Sequence, residues 1–277
     1  MNIRFLSLVL LLSVVQDSIC TGNFHQVECD IVAIDSSAMH NSRPHIPAPS
    51  SVRTTSPSQT LSLNWAGYSA YSKLANKVRN SVSAVFGAWT VPTLVPTPDN
   101  SYCAVWVGID GFNSSSVEQI GTAHNYSNGT QQDYAWFEMY PGAAYALNGF
   151  PVNPGDNISA SVVYLGNFVF QLTIYNNTQH RYFVVPTHYT KSKTAARSCA
   201  EWVVEAPYLN GILPLSDFGT EIFTQCRAVI NGVSAFLNNP SWSHIAVEMV
   251  TQNGTVKALP SPIFSNNSSF SVTWAHE

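Results

Sequence analysis

From about Asn64 onward the chain is a succession of short runs of β-branched and aromatic residues, broken by Pro, Gly and Asn. Within these runs apolar positions tend to recur every second residue, as in a strand with one buried face, and the 3.6-residue period of a helix is almost absent. The pattern predicts strands at Val82 to Val91, Ala104 to Ile109, Tyr134 to Tyr140, Ile158 to Tyr164, Phe168 to Tyr175 and Arg181 to Val185. Further strands are predicted at Ala200 to Glu205, Gly219 to Thr224, Ala228 to Ala235, His244 to Val250 and Phe270 to Trp274. Many short strands without helices to carry parallel crossovers imply an all-β, antiparallel two-sheet β-sandwich. Sandwiches of about 200 residues commonly form one domain, which assigns residues 64–277 to a single body.

The pattern differs before that point. Arg4 precedes an apolar run from Phe5 to Val15, the layout of a secretory signal peptide over residues 1–20. The run is shorter than the roughly 20 apolar residues that span a bilayer, so the expected product is secreted, extracellular and free of the membrane after signal removal. Ser36 to Ser58 is rich in Ser, Pro, Thr and His. Residues 21–63 are therefore expected to be a propeptide and linker removed on maturation, although the composition fits a plain unstructured N-terminus equally well. Eight Asn-x-Ser/Thr sequons, at Asn113, Asn125, Asn128, Asn157, Asn176, Asn253, Asn266 and Asn267, agree with a glycosylating secretory route.

Composition narrows the function. Charged residues form 10% of the 277-residue chain, against roughly 25% in an average soluble protein. A surface poor in titrating groups suits survival in acid. The net charge of −4 and the absence of a basic run argue against a nucleic-acid partner. Of five cysteines, Cys20 and Cys29 precede the body and Cys103, Cys199 and Cys226 lie within it; their connectivity is not deducible from spacing. Without a CxxC pair or His-Glu-x-x-His, a metal site has little support, and no cofactor is expected.

Alternation along the strands brings candidate chemistry together. Trp106 shares a face with Asp110, Trp136 with Glu138, and Glu201 with Glu205, while Trp202 and Val204 point the other way. Buried carboxylates need partners, so a sheet face carrying aromatic rings and acids reads as the floor of a cleft. A single such acid is more often an ordinary solvent-facing residue, and tryptophans in a sandwich usually pack; the coincidence on three strands is what points to a site.

Six ordered segments carry a resemblance. They are Asn64-Trp65-Ala66-Gly67-Tyr68, Phe86-Gly87-Ala88-Trp89-Thr90-Val91-Pro92, Trp106-Val107-Gly108-Ile109-Asp110-Gly111, Gln119-Ile120-Gly121-Thr122, Tyr134-Ala135-Trp136-Phe137-Glu138-Met139-Tyr140-Pro141 and Ala200-Glu201-Trp202-Val203-Val204-Glu205-Ala206-Pro207. Together they resemble the glutamic peptidases of the eqolisin family. The resemblance implies a concanavalin A-like lectin/glucanase sandwich, synthesis as a zymogen and activity in acid on polypeptide substrates, here by a monomer. It implies Gln119 and Glu205 as the catalytic pair, and Trp65, Trp106, Asp110, Trp136 and Glu138 as residues of the substrate cleft. Three features depart from the family's usual pattern: Tyr134 stands where some members carry an acid, Glu118 precedes the glutamine where an apolar residue is usual, and Ser114 to Ser116 fall where some relatives place a cysteine.

Such residue types suit the chemistry. Peptide hydrolysis needs a base for water, a donor for the oxyanion and an acid for the departing amine. One glutamate serves as base and then acid, and a glutamine amide offers a donor and an acceptor at any pH. The turns of an aspartic peptidase and the Gly-x-Ser-x-Gly of a serine hydrolase are absent. A carbohydrate-active sandwich, glycosidase or lectin, is the remaining alternative, with Glu138 and Glu205 as acid and nucleophile.

Overall fold

In the computed structural model, described here for residues 23–34, 43–52, 59–73 and 78–277, the strands follow in this order. They are β1 (His25–Gln26), β2 (Asp30–Ala33), β3 (Gln59–Ser62), β4 (Trp65–Ser72), β5 (Val82–Thr90), β6 (Ser101–Ile109), β7 (Val117–Ser127), β8 (Thr130–Tyr140) and β9 (Ala144–Asn148). They continue with β10 (Asn157–Gly166), β11 (Val169–Asn176), β12 (Arg181–Val184), β13 (Cys199–Glu205), β14 (Thr220–Ile230), β15 (Val233–Phe236), β16 (Trp242–Val250), β17 (Val256–Pro260) and β18 (Phe270–Trp274). Among the described residues there is no helix. The signal-peptide expectation falls on residues outside the described ones.

Two sheets form. The smaller runs β1-β12-β11-β10-β5-β14-β15. The larger runs β2-β9-β8-β7-β6-β13-β4-β16, and β16 leads through β17 and β18 to β14. Pairing is antiparallel except for β1 beside β12 and β3 beside β16, both made by the segment before Asn64. Strand β14 belongs to both sheets. Its Thr220–Phe223 half pairs with β18 and its Thr224–Ile230 half with β5, and Gln225, at φ 53°, forms the bulge that redirects it.

The core lies between the sheets. Val105, Val107 and Ile109 of β6 and Trp202 and Val204 of β13 meet Val85 and Trp89 of β5 and Ile158 and Val162 of β10, all essentially inaccessible. Trp202 satisfies its indole N–H on the Phe86 carbonyl at 2.7 Å, which removes the cost of burying that donor. The alternate residues of the same larger-sheet strands form a second cluster on the outer face: Trp65, Ala104, Trp106, Val117, Ala123, Trp136, Val203 and Val247. That outer face carries the candidate site.

The alternation rule located many strands of the body but missed β9 and β17 and ran Ala228 to Ala235 through the Asn231–Gly232 turn that separates β14 from β15; further differences have a clear cause. Trp65–Ser72 and Val117–Ser127 are strands of nearly unbroken burial, and a strand covered on both faces loses its period-2 signal. Gly219 to Thr224 is the first half of a strand that runs on to Ile230 across the bulge. Two sequons are unavailable in the fold, since Asn125 and Asn176 are buried and the Asn176 amide donates to Asp156 and the Pro151 carbonyl. Cys29, Cys103, Cys199 and Cys226 are free thiols.

Candidate active site

The register of the larger sheet arranges the outer face in rows across the strands. Glu205 of β13 lies opposite Trp65 of β4 and Ala104 of β6. In the next row Trp106 faces Val203 and Gly121, and Gly121 faces Trp136. In the third, Glu201 faces Ser69 and Gly108, Gly108 faces Gln119, and Gln119 faces Glu138. Gln119 and Glu205 therefore stand on one face, on the two strands that flank β6.

Trp106 links the two. Its indole N–H donates to Glu205 Oε2 at 2.9 Å. The far edge of its ring covers Gly108: a Cβ built there would fall 2.9 Å from Trp106 Cζ3 and 3.2 Å from Gln119 Cβ. A glycine at 108 thus lets the ring reach from the Gln119 row to Glu205. Trp65 packs edge-to-face on Trp106, with ring centroids 4.9 Å apart. Glu205 Oε1 accepts from the Arg43 backbone N–H at 2.9 Å and from Asn64 Nδ2 at 3.4 Å. In each of these three bonds a carboxylate oxygen is the acceptor. Gln119 Nε2 donates to Glu138 Oε2 at 2.9 Å. This bond fixes which way the amide points.

The segment before the body covers this face. Arg43 N reaches Glu205, His45 N donates to the Gly111 carbonyl, Ile46 N to Asn64 Oδ1, and Leu63 N to the Ile46 carbonyl. The His45 ring lies against Phe112 at 4.8 Å and Trp65 at 6.0 Å. Burial among these rings lowers the His45 pKa to about 4, against a smaller raising effect of the Leu61 backbone. Under this cover Gln119, Glu205, Trp65, Trp106 and Trp136 have no accessible surface.

Three neighbouring acids serve other ends. Asp110, at φ 73°, accepts from Arg197 N at 2.6 Å and from Ser198 N and Oγ at 2.8 and 2.9 Å. Both of its oxygens hold the turn that leads into β13. Glu118 accepts from Ser192 Oγ at 2.7 Å, and burial followed by the Asp110 charge pushes its pKa up to about 8. Glu201 accepts from Ser69 Oγ at 3.1 Å and is raised well above the usual carboxyl value by burial. A third polar chain, Thr122 to His124 to Asp133 at 2.9 and 2.7 Å, copies the connectivity of a hydrolase triad. It lies inside the sandwich with Trp89 donating to Thr122, where no substrate reaches.

The model of the Peptidase A4 family matches residues 63–274. The chain belongs to this family. Solved structures agree in fold. Scytalido-glutamic peptidase with a transition state analog inhibitor superimposes with a TM-score of 0.63 at 22% identity, over 76% of this chain and 98% of that one. SCP-B, a member of the eqolisin family in complex with the tripeptide Ala-Ile-His, gives 0.60 at 20%, over 76% and 98%. Aspergilloglutamic peptidase from Aspergillus niger gives 0.55 at 25% identity, over 63% and 99%. Comparison with curated proteins gives no match.

In this Peptidase A4 member the sequence-predicted residues Gln119, Glu205, Trp65, Trp106, Trp136 and Glu138 gather on one face, and Asp110 accepts hydrogen bonds from Arg197 and Ser198 at the end of β6. Sequence reasoning missed Asn64 as a partner of Glu205, although it opens the first of the six segments. It also missed Arg43, Tyr140 and Tyr208. Their part depends on a segment more than a hundred residues from Glu205 folding back over it, and no local pattern encodes that.

Proposed function

We propose that this member of the Peptidase A4 family is a secreted acid endopeptidase in which Glu205 and Gln119 activate one water molecule against a peptide bond. Ionised Glu205 takes a proton from water as the oxygen attacks the carbonyl carbon. The Gln119 amide donates to the developing oxyanion. Glu205 then passes its proton to the departing nitrogen as the C–N bond breaks, giving a carboxylic acid and an amine. Glu138 orients the amide, Trp106 and Asn64 hold the carboxylate, and Trp65 and Trp136 wall the groove. The observation that carries this reading is the shared face, with the Trp106 indole reaching from Glu205 to the Gln119 row.

The sugar-cleft alternative gives no role to Gln119, whereas the hydrogen bond that the Gln119 amide donates to Glu138 is central to the peptidase reading. Removing one oxyanion donor typically costs about 3 kcal/mol of barrier. Gln119→Ala should therefore lose a few hundredfold in kcat on denatured casein in acid, and Glu205→Gln should be inactive. Near-wild-type proteolysis by either folded variant would overturn the pair.

Residues 21–63 act, in the same proposal, as a propeptide, removed to leave a catalytic domain of 64–277. The contact of Arg43 N with Glu205 and the complete burial of the site support this. N-terminal sequencing of the active secreted product should find a start between Val52 and Asn64; a fully active product starting at Thr21 would contradict it.

A further inference from the structure

Arg43 touches the site twice. Its main-chain N–H meets Glu205, and its side chain runs between two tyrosines: the guanidinium carbon sits 4.5 Å from the Tyr208 ring centroid and 5.9 Å from that of Tyr140, and Nη1 donates to the Tyr140 hydroxyl at 3.2 Å. We propose that Tyr140 and Tyr208 form a specificity subsite of the peptidase cleft that takes an Arg or Lys side chain on the amine side of the scissile bond. This rests on the assignment of Glu205 above.

The side of the bond follows from the chemistry of Glu205. The carboxyl must deliver a proton to the departing nitrogen, and the nitrogen at 2.9 Å from its Oε1 is that of Arg43. A substrate whose leaving nitrogen takes the same place carries its side chain where the Arg43 side chain lies. Open pockets of about 440 Å³, beside Pro44 and Tyr140, and about 550 Å³, beside Ile46 and Tyr208, continue the cleft on either side of the covering segment. Both tyrosines are half-buried even with the segment in place.

The means of recognition fits an acid enzyme. A cation held by a carboxylate loses its partner when the acid protonates, but a neutral aromatic face keeps its attraction at any low pH. Among the described residues the ion pair recorded is His124 with Asp133, so Arg43 is held by rings and a hydroxyl rather than by an acid. A planar guanidinium stacks on such a ring better than a compact ammonium does, so Arg should be preferred over Lys.

The test uses the full chain after acid activation and pairs of peptides identical except for Arg or norleucine at the residue that supplies the leaving amine. Norleucine keeps the apolar stem and removes the charge. The Arg peptide should be favoured in kcat/KM by roughly three- to thirtyfold, the range of a cation over an aromatic face. Tyr208→Leu should bring that ratio close to one, and Tyr208→Phe should preserve it. Equal rates for the two wild-type substrates, or an unchanged ratio in Tyr208→Leu, would show that the clamp serves only the covering segment. If neither peptide is cleaved, the Glu205 assignment fails and the subsite goes with it.

Discussion

Glu221 gives a test in which a substitution should stabilise the fold at one pH and do nothing at another. Its carboxyl is buried near Cys103 inside the sandwich and accepts from Ile222 N at 3.1 Å and Thr90 N at 3.3 Å. Burial pushes its pKa from 4.5 to about 8 despite those two donors. Between these values the folded chain holds a proton that the unfolded chain has released. Stability from this group is complete below about pH 4.5 and is lost as pH rises toward 8. At about pH 7 the deficit spans roughly 2.5 pKa units, or about 3 kcal/mol. Glu118, also raised to about 8, loses a similar amount over the same window. Together they remove about 6 kcal/mol at neutral pH, much of the 5 to 15 kcal/mol that holds a typical domain. Glu221→Gln keeps a carbonyl acceptor for both N–H groups and removes the ionisation. In urea unfolding it should match the wild type within about 0.5 kcal/mol near pH 4 and exceed it by about 3 kcal/mol near pH 7. Parallel wild-type and variant curves across that range would refute the neutral buried acid.

Two further outcomes follow from the covering segment and the sheet. The His45 pKa of about 4 while docked, against 6.5 when free, means that the released segment binds the extra proton. Docking is therefore fully favoured above about pH 6.5, weakens by about 3 kcal/mol as pH falls to 4, and is constant below. No charged group contributes to that shift. In a Glu205→Gln background, which under the proposed mechanism cannot cleave itself, His45→Phe should move the exposure of the groove tryptophans, read by acrylamide quenching, to lower pH; an unmoved midpoint would exclude His45 as the trigger. Gly121→Ala should cost at least about 3 kcal/mol in thermal unfolding, because the new Cβ would fall 2.2 Å from the Val105 carbonyl oxygen and 2.5 Å from Trp106 Cβ; a loss below about 1 kcal/mol would mean the two strands can separate.

Much of the body was legible in the residue pattern, since side-chain direction in a strand is a local property with period two. Trp202 inward, Glu201 and Glu205 outward, and Trp136 beside Glu138 all follow from position in the chain alone. Where burial covers both faces, as in Trp65–Ser72 and Val117–Ser127, the period vanishes and the strands went unread. Register is not local. That Gln119 shares a row with Glu138, that Trp106 spans from Gly108 to Glu205, and that Asp110 turns to Arg197 and Ser198 depend on which strands lie side by side. Composition suggested tolerance of acid through a charge-poor surface; the tertiary structure adds Glu118, Glu201 and Glu221, neutral in the interior because burial penalises their charged form. The sequence by itself determined many of the strands, which of their residues share a face and the residue types able to hydrolyse a peptide bond. Only the tertiary structure decided which acid is held by a tryptophan and an arginine amide, because hydrogen bonds and desolvation act between groups that the chain brings together from far apart.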